Sequence, residues 1–349
     1  MFRFRVCLAS AGRKNGRRNL ISAELIIFAT LSLIAFSLGG CDFPKPQASP
    51  HASERKIINQ SLPVPASERA PYGPPTRIGT LEDRDVEESS GIVASRKNGD
   101  HFWTHNDSGD GPYLYAFDRK GRKQGVWRIT GARSQDWEDI AAGPGPEVGR
   151  AYLYVGDIGD NERQRGQITV YRVAEPIIAV DDNASSRNKP HLTERAEAIK
   201  LQYPDGSHNA EALLVHPTTG DIYIVTKEEA TAASVYKLAA PFSTSVVNTL
   251  MRIGQIEVPS LMRGYITGGD ISPDGRRVVL CDYFGAYELS LEAALTSKFD
   301  SIWQKPALAF EVGERKQGEA ICYSFDGASV LVTSEKSHSP LIETKRLSE

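Results

Sequence analysis

One short cassette recurs five times in this chain of 349 residues, and it constrains the fold more than any other feature. Each copy is a small or acidic residue, then Gly, Asp or Ala, then Ile or Leu opening an apolar stretch. The copies are Ser90-Gly91-Ile92, Glu138-Asp139-Ile140, Glu211-Ala212-Leu213, Gly269-Asp270-Ile271 and Glu319-Ala320-Ile321, standing 48, 73, 58 and 50 residues apart. Behind each comes a turn and a more apolar strand, at 101–104, 151–156, 221–226, 277–281 and 329–333. Third strands follow at 113–117, 168–173, 234–238, 285–289 and 341–345, and fourth strands at 125–130, 196–202, 252–258 and 307–312. Ser272-Pro273-Asp274-Gly275, Phe325-Asp326-Gly327 and Thr219-Gly220-Asp221 supply explicit hairpin chemistry at three of the turns.

A lone four-stranded sheet cannot bury both faces, so repeated units of about fifty residues predict blades packed in a ring. The expected body is an all-β propeller over 77–349 with five blades. Six is the alternative if the 73-residue interval hides a degenerate blade, although Pro190 and the polar residues 181–189 read as an inserted loop. The fifth unit lacks a fourth strand before Glu349, and the orphan strand at 77–81 is its expected donor. That closure hides a sheet edge.

The first forty residues read as a targeting segment. Arg3, Arg5, Arg13, Lys14, Arg17 and Arg18 stand against one acid, Glu24, ahead of an apolar run at 25–38 that is short for a membrane span. Leu38-Gly39-Gly40-Cys41 resembles the lipobox of bacterial lipoproteins, which implies cleavage before Cys41 and acylation of that cysteine. A simple signal peptide or a short uncleaved anchor is the alternative. Several acyl chains would hold the protein on a bilayer durably. Asp42 resembles the enterobacterial signal for retention in the inner membrane, and Arg17-Arg18 resembles a twin-arginine export motif. The expected location is therefore the cell envelope, on the periplasmic side. Residues 41–76 carry prolines at 44, 46, 50, 63, 65, 71, 74 and 75 with no hydrophobic period, which predicts a disordered tether.

Removing the first forty residues from the 41 bases and 44 acids leaves 35 against 43, a mature charge of -8. Wrapping nucleic acid needs a basic stripe, so that partner class is excluded. Of the four cysteines, Cys7 leaves with the signal and Cys41 is claimed by lipid. Cys281 and Cys322 either pair in an oxidising periplasm or stay as buried thiols.

In a blade, the start of the first strand and the end of the second lie on one side of the disc. That side should collect Glu138, Asp139, Glu211, Asp270 and Glu319, together with Asp107, Asp110, Asp157, Asp160, Lys227, Glu228, Asp282 and Glu335. Asp107 to Asp110 and Asp157 to Asp160 repeat one form, Asp-x-Gly-Asp, whose glycine would let both carboxylates face one point. Converging carboxylates repel unless a cation or a bound proton relieves them. Calcium takes six to eight oxygens without strict geometry, and Asp107, Asp157, Asp160, Glu138, Glu211 and Glu319 are its candidate ligands. The alternative is that these acids are turn formers that bind backbone amides. Phosphate loops, Gly-x-Ser-x-Gly elbows and His-Glu-x-x-His pairs are absent from the sequence. His105, His208 and Lys227 are the candidate catalytic groups beside the acidic face.

Residues 88–95 (Glu-Ser-Ser-Gly-Ile-Val-Ala-Ser), 103–109 (Trp-Thr-His-Asn-Asp-Ser-Gly) and 136–141 (Asp-Trp-Glu-Asp-Ile-Ala) carry a resemblance. So do 155–161 (Val-Gly-Asp-Ile-Gly-Asp-Asn), 209–213 (Asn-Ala-Glu-Ala-Leu) and 317–321 (Gln-Gly-Glu-Ala-Ile). Together they resemble a family of secreted bacterial propellers, mostly uncharacterised and grouped loosely with phytase-like and esterase-like propellers. The resemblance spans about 77 to 345, and what it implies is the fold far more than the activity.

Two functions stay open. One is a non-catalytic envelope module that binds a small molecule, glycan or protein on the acidic face, as a monomer. The other is a calcium-dependent hydrolase of phosphoric or carboxylic esters, with Lys227 or Arg163 steadying an anionic group. The first is favoured, because no nucleophile and base stand out.

Overall fold

The computed structural model describes residues 70–179, 182–261 and 263–347, with backbone alone for 293–297. The signal segment, Cys41, Asp42 and the tether as far as 69 lie outside the described residues.

The strands assemble into five sheets. Blade one holds Ser89–Ala94, His101–Asn106, Tyr113–Asp118 and Lys123–Thr130; blade two holds Trp137–Pro144, Ala151–Asp157, Ile168–Ala174 and Glu197–Gln202. Blade three holds Ala210–Val215, Ile222–Thr226, Ala233–Leu238 and Met251–Ile256; blade four holds Gly268–Ile271, Arg277–Cys281, Ala286–Ser290 and Leu308–Phe310. Blade five holds Gly318–Tyr323, Ser329–Ser334 and Pro340–Lys345, and its outer strand is Thr76–Thr80 from the start of the described chain. The first strand of each blade touches the first strand of the next, and the fifth touches the first. The molecule is a five-bladed β-propeller closed by its N-terminal strand.

The physical reason is legible in single strands. Successive side chains point to opposite faces of a strand. Ile222 and Ile224 accordingly pack with Tyr154 and Val170 of blade two, while Tyr223 and Val225 pack with Val278 and Tyr287 of blade four. Leu153 and Val155 join Trp103 and Leu114 of blade one, while Tyr152 and Tyr154 face blade three. Each sheet is buried on both faces, so its strands read as continuous apolar runs. Gly220, Gly275 and Gly327 adopt φ of 74°, 67° and 70° in the three hairpins with turn chemistry, a region other residues rarely enter.

Five blades stand as expected, and four features go beyond the sequence reading. The 73-residue interval hides no sixth blade; it delivers His191–Arg195 as a parallel fifth strand on the outer edge of blade one. Asn248–Thr249 pairs in parallel with Glu197–Gln202 in the same way. Both additions cover sheet edges. Residues 293–304 form a 3-10 stretch whose Phe299, Ile302 and Trp303 pack between blades three and four. The packed chain also reaches back past the expected boundary at 76. Ala70 is buried and its N–H donates to the Ala309 carbonyl, while Tyr72 stacks on Phe310 at 4.1 Å and donates to Glu288 at 2.6 Å.

Candidate functional site

Strand register places the acids. Trp137 pairs with Asp157 in blade two, Ser89 with Asn106 in blade one and Gly318 with Ser334 in blade five, so first-strand starts and second-strand ends share one rim. There the ladder slips, between Ser89 and Gly91, Trp137 and Asp139, Ala210 and Ala212, and Gly318 and Ile321. A bulge leaves the skipped residue unpaired and re-aims its side chain. The skipped residues include Glu138, Glu211 and Glu319, all 4–5% exposed. Three equivalent glutamates thus stand around one mouth.

The next residue of the cassette does a different job. Asp139 accepts the Ile140 N–H at 2.8 Å, the Leu213 N–H at 2.9 Å and the Gly269 N–H at 3.3 Å, tying blade two to blades three and four. Asp270 accepts from Ile271 at 2.8 Å and Tyr323 at 2.9 Å, tying blade four to five. Blade one has Gly91 at this position because a Cβ would press to 2.9 Å on Asp139 Oδ1. Asp139 and Asp270 are therefore parts of the frame.

Oxygens of Asp107, Asp136 and Glu138 lie within 4.8 Å of one another. Asp107 arrives on the loop after the second strand of blade one, where its N–H donates to the Glu88 carbonyl at 3.0 Å. Gly159 lies directly against this group, and a Cβ there would overlap Glu138 Oε1 and Asp136 Oδ2. Glu138 is buried, and its carboxylate has no hydrogen-bond donor or ion-pair partner among the described residues. Burial, then Glu211, Asp107, Asp136 and Glu319, hold its pKa well above the usual carboxylate range. Burial also lifts Asp107 to about 6, against the pull of the Ser108 N–H.

Across the mouth, Lys227 Nζ donates to both oxygens of Glu211 at 2.6 Å and to Tyr283 Oη at 3.2 Å. It lies 4.4 Å from the Tyr265 ring centre and 5.0 Å from that of Tyr283. Burial pulls the ammonium pKa down and Glu211 more than restores it, so the cation is retained. Burial lifts Glu211 to about 7 against the pull of Lys227. Glu319, beside Glu335, rises to about 9 through burial, then Glu335 and Glu211.

The six expected calcium ligands separate. Asp107 and Glu138 meet, joined by Asp136, which sequence reading missed. The available signal was an acid on either side of Trp137, which is buried at the start of its strand. Asp157 instead pairs with Arg165 at 2.6 Å and accepts the N–H groups of Gln135 and Asp136 at 3.2 and 3.3 Å. Asp160 accepts those of Gln164 and Arg165 at 2.9 and 2.7 Å. Asp110 turns to Asn106, Tyr115 and Arg187. The repeated Asp-x-Gly-Asp forms therefore do not aim both carboxylates at one point. Glu211 is taken by Lys227, and Glu319 lies 3.5 Å from Gln317 Nε2.

The candidate catalytic groups are similarly engaged. His105 is fully buried, edge-on to Trp137, and burial lowers its pKa to about 4. His208 lies 3.1 Å from Asp205 and 2.9 Å from the Tyr236 hydroxyl. Arg163 pairs with Glu228 at 2.7 Å. Cys281 and Cys322 are buried free thiols.

These shifts set a pH dependence. An acid whose folded pKa is raised contributes stability below its unfolded value and loses it as pH rises through the folded one. Glu211 and Glu319 span the window from about 4.5 up to about 7 and about 9 respectively. His105 acts in the opposite sense, but only below its ordinary value of 6.5. In chelator, the thermal midpoint is therefore expected to fall between pH 6.5 and pH 8.5, with a shallower slope in Glu319→Gln. A midpoint that rises with pH in calorimetry would contradict the assignment.

No protein-family model matches this chain, and no curated protein matches it in sequence. Among solved structures it is similar to Kuenenia stuttgartiensis hydrazine synthase, with 16% identity and a TM-score of 0.37. That similarity covers 72% of this chain and 56% of the other.

Proposed function

We propose that this protein is an envelope lipoprotein, held on the periplasmic side of a membrane by lipid on Cys41, whose propeller is a calcium-dependent, non-catalytic binding module. The acidic mouth is its recognition surface for a small molecule, glycan or protein. One observation carries the reading: Glu138 is a buried carboxylate with acids for neighbours and no donor among the described residues. Burying such a charge is costly unless a proton or a cation compensates it. Calcium suits an all-oxygen site with flexible geometry. Of the expected catalytic groups, His105 is sealed and Lys227 is paired with Glu211, which favours binding over hydrolysis.

The expected results are palmitate labelling of the full-length protein in a bacterial host, lost in Cys41→Ser, and a higher thermal midpoint in calcium than in chelator. Absence of labelling overturns the anchor, and an unchanged midpoint overturns the cation. Turnover of phosphomonoesters or short acyl esters that Glu211→Gln abolishes would replace the binding module with an enzyme.

A further inference from the structure

The six expected cation ligands come from blades one, two, three and five, and of them only Asp107 and Glu138 meet, joined by Asp136. We infer that one calcium-class ion seats between blades one and two, held by Asp107, Asp136 and Glu138, and that it clasps the 107–111 loop to the start of blade two. This rests on the reading of the mouth as a calcium-dependent surface and adds where the ion sits and what it does mechanically.

Two independent observations support the clasp. The first is spacing: three oxygens within 4.8 Å of one another can share an ion at calcium's ligand distance of about 2.4 Å. The second is the state of Glu138, at 4% exposure and without a donor or counter-ion among the described residues. Two other expected ligands from blade two are already satisfied, Asp157 by Arg165 and Asp160 by two N–H groups. The donor set is all carboxylate, without the His or Cys that zinc sites favour. Three protein ligands leave several of calcium's six to eight positions for water or for oxygens of a bound partner.

The mechanical consequence comes from where the ligands reside. Asp136 and Glu138 flank Trp137, which is fully buried in the seam between blades one and two. Asp107 sits on a loop whose next residues, Ser108 and Gly109, are exposed. The ion therefore holds an exposed loop against a buried strand start, and its removal is expected to free the loop first.

Terbium is the probe, because Trp137 lies between two of the ligands and can sensitise its luminescence. Full-length protein excited at tryptophan wavelengths is expected to give a terbium signal that calcium displaces. Asp136→Asn and Glu138→Gln are expected to weaken terbium affinity by about tenfold or more. Asp160→Asn is expected to hold it within about twofold, with folding of every variant checked by circular dichroism. Calcium should also slow proteolytic cleavage at 108–109 in the wild type and not in Asp107→Asn, a variant in a loop whose change leaves the core untouched. Ion binding retained in Asp136→Asn and Glu138→Gln but lost in Glu319→Gln overturns the clasp and leaves a calcium-binding mouth. No terbium or calcium binding to the wild type overturns both.

Discussion

A chain that starts at Glu82 instead of Ala70 is expected to lose its single cooperative unfolding transition and to aggregate. The deletion removes Thr76–Thr80, which pairs with Pro340–Lys345 as the outer strand of blade five. It also removes Leu81, buried at 1% exposure beside Val86, worth about 2–3 kcal/mol by itself. Tyr72 would no longer stack on Phe310 or donate to Glu288, so a buried carboxylate between blades four and five loses a partner. The exposed backbone of Pro340–Lys345 then offers a template for another chain. Urea unfolding followed by tryptophan fluorescence, with size-exclusion chromatography, checks this. Equal midpoints and a monodisperse Glu82 chain would mean that the ring holds without its closing strand.

The second large effect is expected at Asp139. Asp139→Ala strips the acceptor from N–H groups in three blades, and leaving three buried amides without it costs about 3–5 kcal/mol. That lowers the thermal midpoint by on the order of 10 °C in a domain of this size. Asp139→Asn keeps one acceptor oxygen and should show a smaller loss. Asp270→Ala, which serves two amides, should fall between wild type and Asp139→Ala. Calorimetry that ranks Asp139→Ala with surface substitutions would remove Asp139 from the frame.

The equivalence of Asp139 and Glu138 in sequence hides opposite roles in space. Both are acids in the same cassette, one residue apart. Glu138 occupies the skipped position of a bulge and faces the mouth, whereas Asp139 turns into the ring and finds amides 74 and 130 residues away. Nothing local distinguishes them. The same difficulty separates Asp107 from Asp157, since the guanidinium of Arg165 claims the second and no guanidinium among the described residues claims the first. Asp136 escaped notice because it precedes its strand and its role depends on a loop from the neighbouring blade.

Hairpin glycines, alternating apolar residues and the cassette spacing are local, so they were enough to predict five blades and a closing strand from the residues alone. Those signals act over a few residues, and each is settled by backbone sterics or by which face of a strand is buried. What each carboxylate does was decided only when the ring closed. A carboxylate's role depends on the donors that surround it, and here those donors come from other blades, brought within reach by packing that no single segment encodes.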